Sequence, residues 1–234
     1  MSHGETVGME DGGGVLVLLC GLPAAGKSGF ASRLVGEAEG LALLLRRPRI
    51  SLFHLSFDDV LRKLSEERGV ERFEPSLWHE ARELILGATR AHFDRTPHTI
   101  APPSSRTLAE LGVCRTVCDD ACGERSFDVV LLDDNMQYRS MRRQFYQVAR
   151  ATGLGLCTIC FPIDPEQAVV RDDKRQGAAR VGASTIRLMA RTLEWPRPEQ
   201  FQWERHCAIL SDPRVCAPRV LQSLARGSSK QVES

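Results

Sequence analysis

No apolar run in this 234-residue chain approaches the roughly 20 residues that a membrane-spanning helix needs, so no membrane partner is expected. Segment 1–14 has neither a basic start nor an apolar stretch. It is acidic and glycine-rich, which predicts a flexible tail rather than a signal peptide and, with it, a cytoplasmic location. There is no internal repeat and little net charge, +1, on a chain that is 42% hydrophobic and 26% charged. Those values suit an ordinary globule, and the length suits one α/β domain with a small appendage.

A disulfide framework is also lacking, although the chain has eight cysteines. Cys157 and Cys160 form a C-x-x-C inside the apolar run Leu154–Ile163, where positions i and i+3 of a strand point to opposite faces. They do not share a metal in that geometry. Cys114, Cys118 and Cys122 recur every fourth residue. On a helix that makes one stripe, read as buried thiols, with a zinc site completed from elsewhere as the alternative.

What the sequence does contain is an alternation of apolar runs and helical patterns, the signature of a parallel sheet covered on both faces. Strands are predicted at Val15–Cys20, Ile50–Phe57, Val129–Asp133 and Leu154–Ile163, with a weaker one at Cys207–Leu210. Helices are predicted at Lys27–Glu39, Asp59–Glu67, Leu77–Asp94, Thr107–Cys122, Ser140–Thr152, Pro165–Gln176, Ser184–Glu194 and Val215–Arg226. Loops fall at Arg46–Arg49, Pro97–Arg106 and Gln176–Ala183. The last is rich in glycine and alanine between arginines, the composition of a mobile lid over phosphates or of a plain linker. The expected domain spans 15–226, with the lid at about 165–183 and a second tail at 227–234.

Directly after the first strand stands Gly21-Leu22-Pro23-Ala24-Ala25-Gly26-Lys27-Ser28, which fits G-x-x-x-x-G-K-[ST]. Such a loop turns its backbone N–H groups onto phosphate oxygens and hands the chain to a helix whose positive end faces the same anion. Lys27 would reach the β- and γ-phosphates of ATP, and the Ser28 hydroxyl would hold Mg²⁺, while Gly29 offers a further N–H.

Phosphoryl transfer also needs a metal-side carboxylate, a group on the acceptor and cationic clamps. Val129-Val130-Leu131-Leu132-Asp133 has the form of an apolar strand ending in that carboxylate, with Asp134 and Asn135 next in line. Both Asp133 and Asp134 are candidates for the metal, and capping a helix is the rival role for Asp134 or Asn135. At the end of the second strand, Asp58-Asp59 could accept a hydrogen bond from an attacking hydroxyl, or one of them could cap the next helix. Arg62 lies one turn beyond Asp59. Arg171 and Arg175, four apart on the helix after Asp164-Pro165, share a face as lid arginines or as partners of Asp172 or Glu166. The segment Arg139–Arg205 carries 12 Lys/Arg against 7 Asp/Glu, so a polyanion would meet this half, unless the excess is only solvated surface.

The P-loop, Phe57-Asp58-Asp59, the run Leu132-Asp133-Asp134-Asn135-Met136-Gln137-Tyr138-Arg139-Ser140-Met141-Arg142 and Arg171-Asp172-Asp173-Lys174-Arg175 together resemble the L-seryl-tRNA(Sec) kinase family. The likeness continues through Tyr146–Arg150 and Met189–Glu194 to Trp203-Glu204. It implies an ATP- and Mg²⁺-dependent kinase that phosphorylates the serine of Ser-tRNA(Sec), giving O-phosphoseryl-tRNA(Sec) for selenocysteine synthesis. The resemblance places Asp59 near the seryl hydroxyl with Arg62 as its companion, and makes Arg171 and Arg175 the R-x-x-x-R pair of the lid. Two departures stand out. Gly29 replaces the family's usual small hydroxyl residue, and the chain ends at Ser234 where many members continue into a tRNA-gripping helical region. Two other readings share the P-loop: the related Elongator-associated, tRNA-linked NTPases, and small-molecule kinases. Oligomeric state is not legible.

Overall fold

Strand β1 (Gly14–Cys20) is sealed on both faces: Leu16, Val17, Leu18, Leu19 and Cys20 have no exposed surface. Its even and odd residues serve different layers. Val17 and Leu19 join one apolar core with Phe30, Leu34 and Leu41, whereas Leu16, Leu18 and Cys20 join another with Phe57, Ile85 and Phe145. Full burial of one such side chain stabilises the fold by about 1.5–3 kcal/mol, and a strand buried twice over reads as an unbroken apolar run.

The computed structural model describes residues 13–47, 49–70, 74–94, 106–118 and 126–212. Within them β1 is followed by helices α1 (Lys27–Gly36) and α2 (Ala38–Leu45), strand β2 (Arg49–Ser56), and helices α3 (Phe57–Arg68), α4 (Pro75–Phe93) and α5 (Leu108–Leu111). Strands β3 (Val113–Cys118) and β4 (Phe127–Asp133) come next, then α6 (Arg139–Thr152), β5 (Gly155–Cys160), α7 (Pro165–Asp172), α8 (Ala183–Thr192) and β6 (Cys207–Ile209). The sheet order is β3-β2-β4-β1-β5-β6, parallel except for β3, which runs antiparallel to β2 at the edge. The expected α/β sheet of mainly parallel strands flanked by helices is the one found. In register, Asp133 stands between Leu19 of β1 and Ser56 of β2. The carboxyl ends of three strands therefore meet, which is where open α/β sheets place their ligands.

Three expectations need correction. The helix expected at Thr107–Cys122 is instead α5, closed by a Thr107/Glu110 capping box, and then strand β3. Gly112 marks the change: a Cβ there would lie 2.2 Å from the His54 carbonyl oxygen, because the chain presses onto β2 and pairs with it. Cys114, which is exposed, and Cys118 thus lie on a strand and not on a helical stripe; Cys122 lies outside the described residues. The first helix breaks at Glu37 rather than running to Glu39, a second helix, α2, runs on to Leu45, and β2 begins at Arg49, the last residue of the expected loop at Arg46–Arg49. The helix expected at Pro165–Gln176 stops at Asp172. Helix Val215–Arg226, tail 227–234, residues 1–12 and most of the loop Pro97–Arg106 fall outside the described residues. Among the described residues, no helix is long and apolar enough to cross a membrane.

Candidate active site

The P-loop bends where its glycines allow it. Gly21 has φ +152°, and a Cβ on it would sit 2.7 Å from the Phe161 carbonyl oxygen. Gly26, at φ +101°, is the N-cap of α1 and provides no side-chain cap, so the first N–H groups of α1 are left for an outside acceptor. That is the geometry of an anion cradle. Leu22 packs with Ala168, Val169 and Ile186, tying the loop to α7 and α8. Ser28 and Gly29 are exposed at the start of α1.

Lys27 is buried at 7% exposure and its ammonium is held by three acceptors: Gly21 O at 3.0 Å, Leu22 O at 2.7 Å and Asn135 Oδ1 at 2.9 Å. Burial pushes its pKa down, while the negative charges of Asp133 and Asp134 pull it back up. The backbone of Asn135 also accepts from Gly21 N–H at 3.0 Å. Neither Asn135 nor Asp134 caps α6, whose N-cap is Tyr138.

The two adjacent aspartates have separate duties. Asp134 has both oxygens engaged inside the protein, one by the Asn135 N–H at 2.7 Å and the other by Arg82 Nη1 at 3.0 Å. Burial raises its pKa and the nearby Arg82 guanidinium lowers it. Arg82 is itself buried, donates to Gln144 at 3.0 Å and lies over the Phe57 and Trp78 rings. Asp133 instead meets His54 Nε2 at 3.1 Å through one oxygen. His54, Arg82 and Gln144 were not legible as site residues, since each acts through a partner 52 to 79 positions away.

At the end of β2, neither aspartate caps α3. Ser56 does, accepting the Asp59 N–H at 3.2 Å, so Asp58 and Asp59 both occupy the first turn. Asp59 is solvent-exposed and 3.4 Å from Arg62, which also holds Glu66 at 2.8 Å. Although the outer edge of Asp58 is exposed, local burial and the Asp133 charge push its carboxyl pKa up, and Lys27 and Arg175 oppose the rise. The charge of Asp58 is thus felt by the groups gathered at this sheet edge.

The segment expected as a lid has a built corner. Asp164 caps α7 by accepting from Glu166 and Gln167 N–H, and buried Asp172 accepts from Val181 N–H at 3.0 Å and Gly182 N–H at 2.8 Å. Because α7 ends at Asp172, Arg171 lies on the helix and Arg175 in the turn after it, so the two do not share a helical face. Arg175 stands 3.6 Å from Asp172 and donates to Ala179 O at 3.4 Å. Glu166 pairs with Arg187, not with either arginine.

Several residues between Met136 and Arg142 tie neighbouring elements together. Arg142 and Glu204 are both buried and bonded at 2.7 Å, and Arg142 Nη1 also donates to Met136 O and Glu194 O. Gln137 bonds Thr192 by its side chain and accepts the Glu194 N–H with its carbonyl, joining the loop after β4 to the end of α8. Tyr138 is exposed.

Chemically this edge offers a cation in an anion cradle and hard oxygen donors, the Ser28 hydroxyl in the first turn of α1 and Asp133 at the end of β4. That donor set fits Mg²⁺, which takes one or two protein oxygens and completes its shell with phosphate and water. Among the described residues no group of three His, Cys, Asp or Glu side chains could hold a metal by itself.

Comparison with known proteins agrees with the geometry. The AAA domain family matches residues 16–196. The mouse protein named L-seryl-tRNA(Sec) kinase is 32% identical over 83% of this chain and 58% of its own length, and the human protein of that name is 28% identical over 86% and 61%. The chain thus spans about three-fifths of the length of these curated relatives. The crystal structure of Chaetomium thermophilum Kti12 with ADP-AlF3 superposes with a TM-score of 0.57 at 18% identity, covering 89% of this chain and 95% of that one, a likeness of fold alone. With a P-loop at the carboxyl edge of a mainly parallel sheet and a match over most of its length, the chain belongs to the AAA domain family.

Proposed function

We propose that this chain is an ATP-dependent kinase that transfers the γ-phosphoryl group to the seryl hydroxyl of Ser-tRNA(Sec), in the cytoplasm. The observation that carries the reading is the placement of Lys27, Asp133, Asp58-Asp59 and the Arg175 turn around one strand edge in a chain similar to two proteins named for that activity.

In this reading the N–H groups from Gly21 to Gly29 cradle the phosphates, and Lys27 exchanges its contacts with Gly21 O and Leu22 O for the β- and γ-oxygens. Leu22, Pro23, Ala24 and Ala25 shape the loop. Ser28 and Asp133 would hold Mg²⁺, which neutralises charge on the phosphates when bound. Asp134, with both oxygens committed to Arg82 and Asn135, is not a metal ligand in this reading, and His54 holds one oxygen of Asp133. The seryl Oγ attacks the γ-phosphorus as the bond to the β-bridging oxygen breaks, ADP leaves, and the hydroxyl proton passes to Asp59, oriented by Arg62. Arg171 and Arg175 approach the transferring group as the lid closes, Arg175 exchanging its contact with Asp172 for phosphate oxygens.

Incubating the protein with γ-labelled ATP, Mg²⁺ and Ser-tRNA(Sec) tests the proposal. Label on the seryl group is expected; ATP turnover without label on RNA points to the NTPase reading.

A further inference from the structure

A lysine ammonium has three donors, and in Lys27 all three are taken. Two acceptors, Gly21 O and Leu22 O, belong to the P-loop itself. The third, Asn135 Oδ1 at 2.9 Å, comes from beyond the end of β4, 108 residues along the chain. The same residue accepts the Gly21 N–H with its backbone oxygen. One side chain and one carbonyl of Asn135 thus hold Lys27 and Gly21, the lysine and the first glycine of the loop.

The alternatives open to the ammonium explain why the holder is an amide. Asp133, Asp134 and Asp58 all attract Lys27. A swing onto Asp133 would pair the phosphate-binding cation with the metal-side carboxylate and cancel both. An amide oxygen is a strong acceptor without net charge, so it fixes the ammonium and leaves its charge available to phosphate.

We propose that Asn135 is a positioning residue for Lys27, holding the ammonium in the phosphate cradle and away from the neighbouring carboxylates. This rests on the nucleotide reading of the P-loop but not on the identity of the phosphoryl acceptor. Removing the amide lets the ammonium collapse onto Asp133 and weakens binding of β- and γ-phosphates. Substituting a carboxylate, in Asn135→Asp, neutralises the ammonium directly and weakens binding further. AMP, which has neither phosphate, is bound alike by all three proteins.

The test is a double-mutant cycle on nucleotide affinity, measured by calorimetry with β,γ-imido-ATP and Mg²⁺, with AMP as control. Asn135→Ala is expected to lose about tenfold in affinity for the triphosphate when Lys27 is present, and less than about twofold in a Lys27→Met background. Asn135→Ser, equally unable to reach the ammonium, gives the same pattern if Asn135→Ala does not fold. An equal loss in both backgrounds would make Asn135 a strut of the loop and overturn the proposal, as would no loss in either. Failure of the wild-type protein to bind the triphosphate is a separate result, which removes the nucleotide reading itself and this proposal with it. Failure to phosphorylate Ser-tRNA(Sec) with the cycle intact removes only the acceptor.

Discussion

Arg142 and Glu204, 62 residues apart, face each other at 2.7 Å with both side chains fully buried. Through Met136 O and Glu194 O the same guanidinium ties the loop after β4 to the end of α8, and Glu204 holds the Arg197 N–H at 2.8 Å. Breaking a buried pair from one side leaves the other charge uncompensated, which typically costs about 3–5 kcal/mol. Glu204→Gln should therefore lower Tm by roughly 10 °C, since 1 kcal/mol shifts a domain of this size by about 2–4 °C. Thermal denaturation followed by circular dichroism measures it, and an unchanged Tm would deny the pair its structural role.

The two carboxylate positions should separate by function. Asp133→Asn is expected to weaken Mg²⁺-dependent ATP binding, because Asp133 closes β4 beside the P-loop. Asp59→Asn should spare nucleotide affinity and lower only transfer to serine, since Asp59 lies exposed beside Arg62. Calorimetry on both variants decides it: equal loss of ATP affinity contradicts the division.

How much of this could be read in advance depends on range. The P-loop and the strand ending in Asp133 are local patterns, and both stand as the sequence placed them. Residues 113–118 misled because cysteines four apart fit a helical stripe and an alternating strand equally well, and only the antiparallel partner β2 decides between them. Arg82, His54 and the pairing of Glu204 with Arg142 were invisible for a different reason. Each residue is an ordinary polar one until the fold brings its partner to it. The early end of α7 has the same origin, since Asp172 spends its carboxylate on Val181 and Gly182.

Lid arginines should act mainly on charge that develops during transfer. Arg171→Lys and Arg175→Lys are each expected to lose at least about tenfold in kcat with smaller changes in nucleotide affinity, because lysine lacks the planar two-donor fork. Single-turnover transfer measures this, and unchanged rates would reduce both residues to surface charges.

Gly29 is an open position: a Cβ there would meet nothing nearer than Arg33 Nη1 at 3.8 Å. Gly29→Ser should fit without strain and stabilise the first turn of α1 by up to about 0.5 kcal/mol, the difference in helix propensity. Urea denaturation tests the sign, and a destabilised variant would show that the turn needs glycine.

Cysteine reactivity should follow burial. Cys157 sits in the core between the sheet and α1, and its pKa is pushed up to about 12, so at pH 8 only about one part in 10⁴ is thiolate. Iodoacetamide labelling of the native protein, mapped by mass spectrometry, should modify exposed Cys114 and leave Cys157 untouched; rapid labelling of Cys157 would contradict its packing.

The most direct measurement is transfer of γ-³²P from ATP to Ser-tRNA(Sec) beside Ser-tRNA(Ser), with the wild-type protein and Lys27→Ala in parallel. The account predicts label on the seryl group of Ser-tRNA(Sec), little on Ser-tRNA(Ser), and none with Lys27→Ala, whose missing ammonium faces the cradle rather than the core. Labelling of neither RNA by a protein that still hydrolyses ATP, or equal labelling by Lys27→Ala, would contradict it.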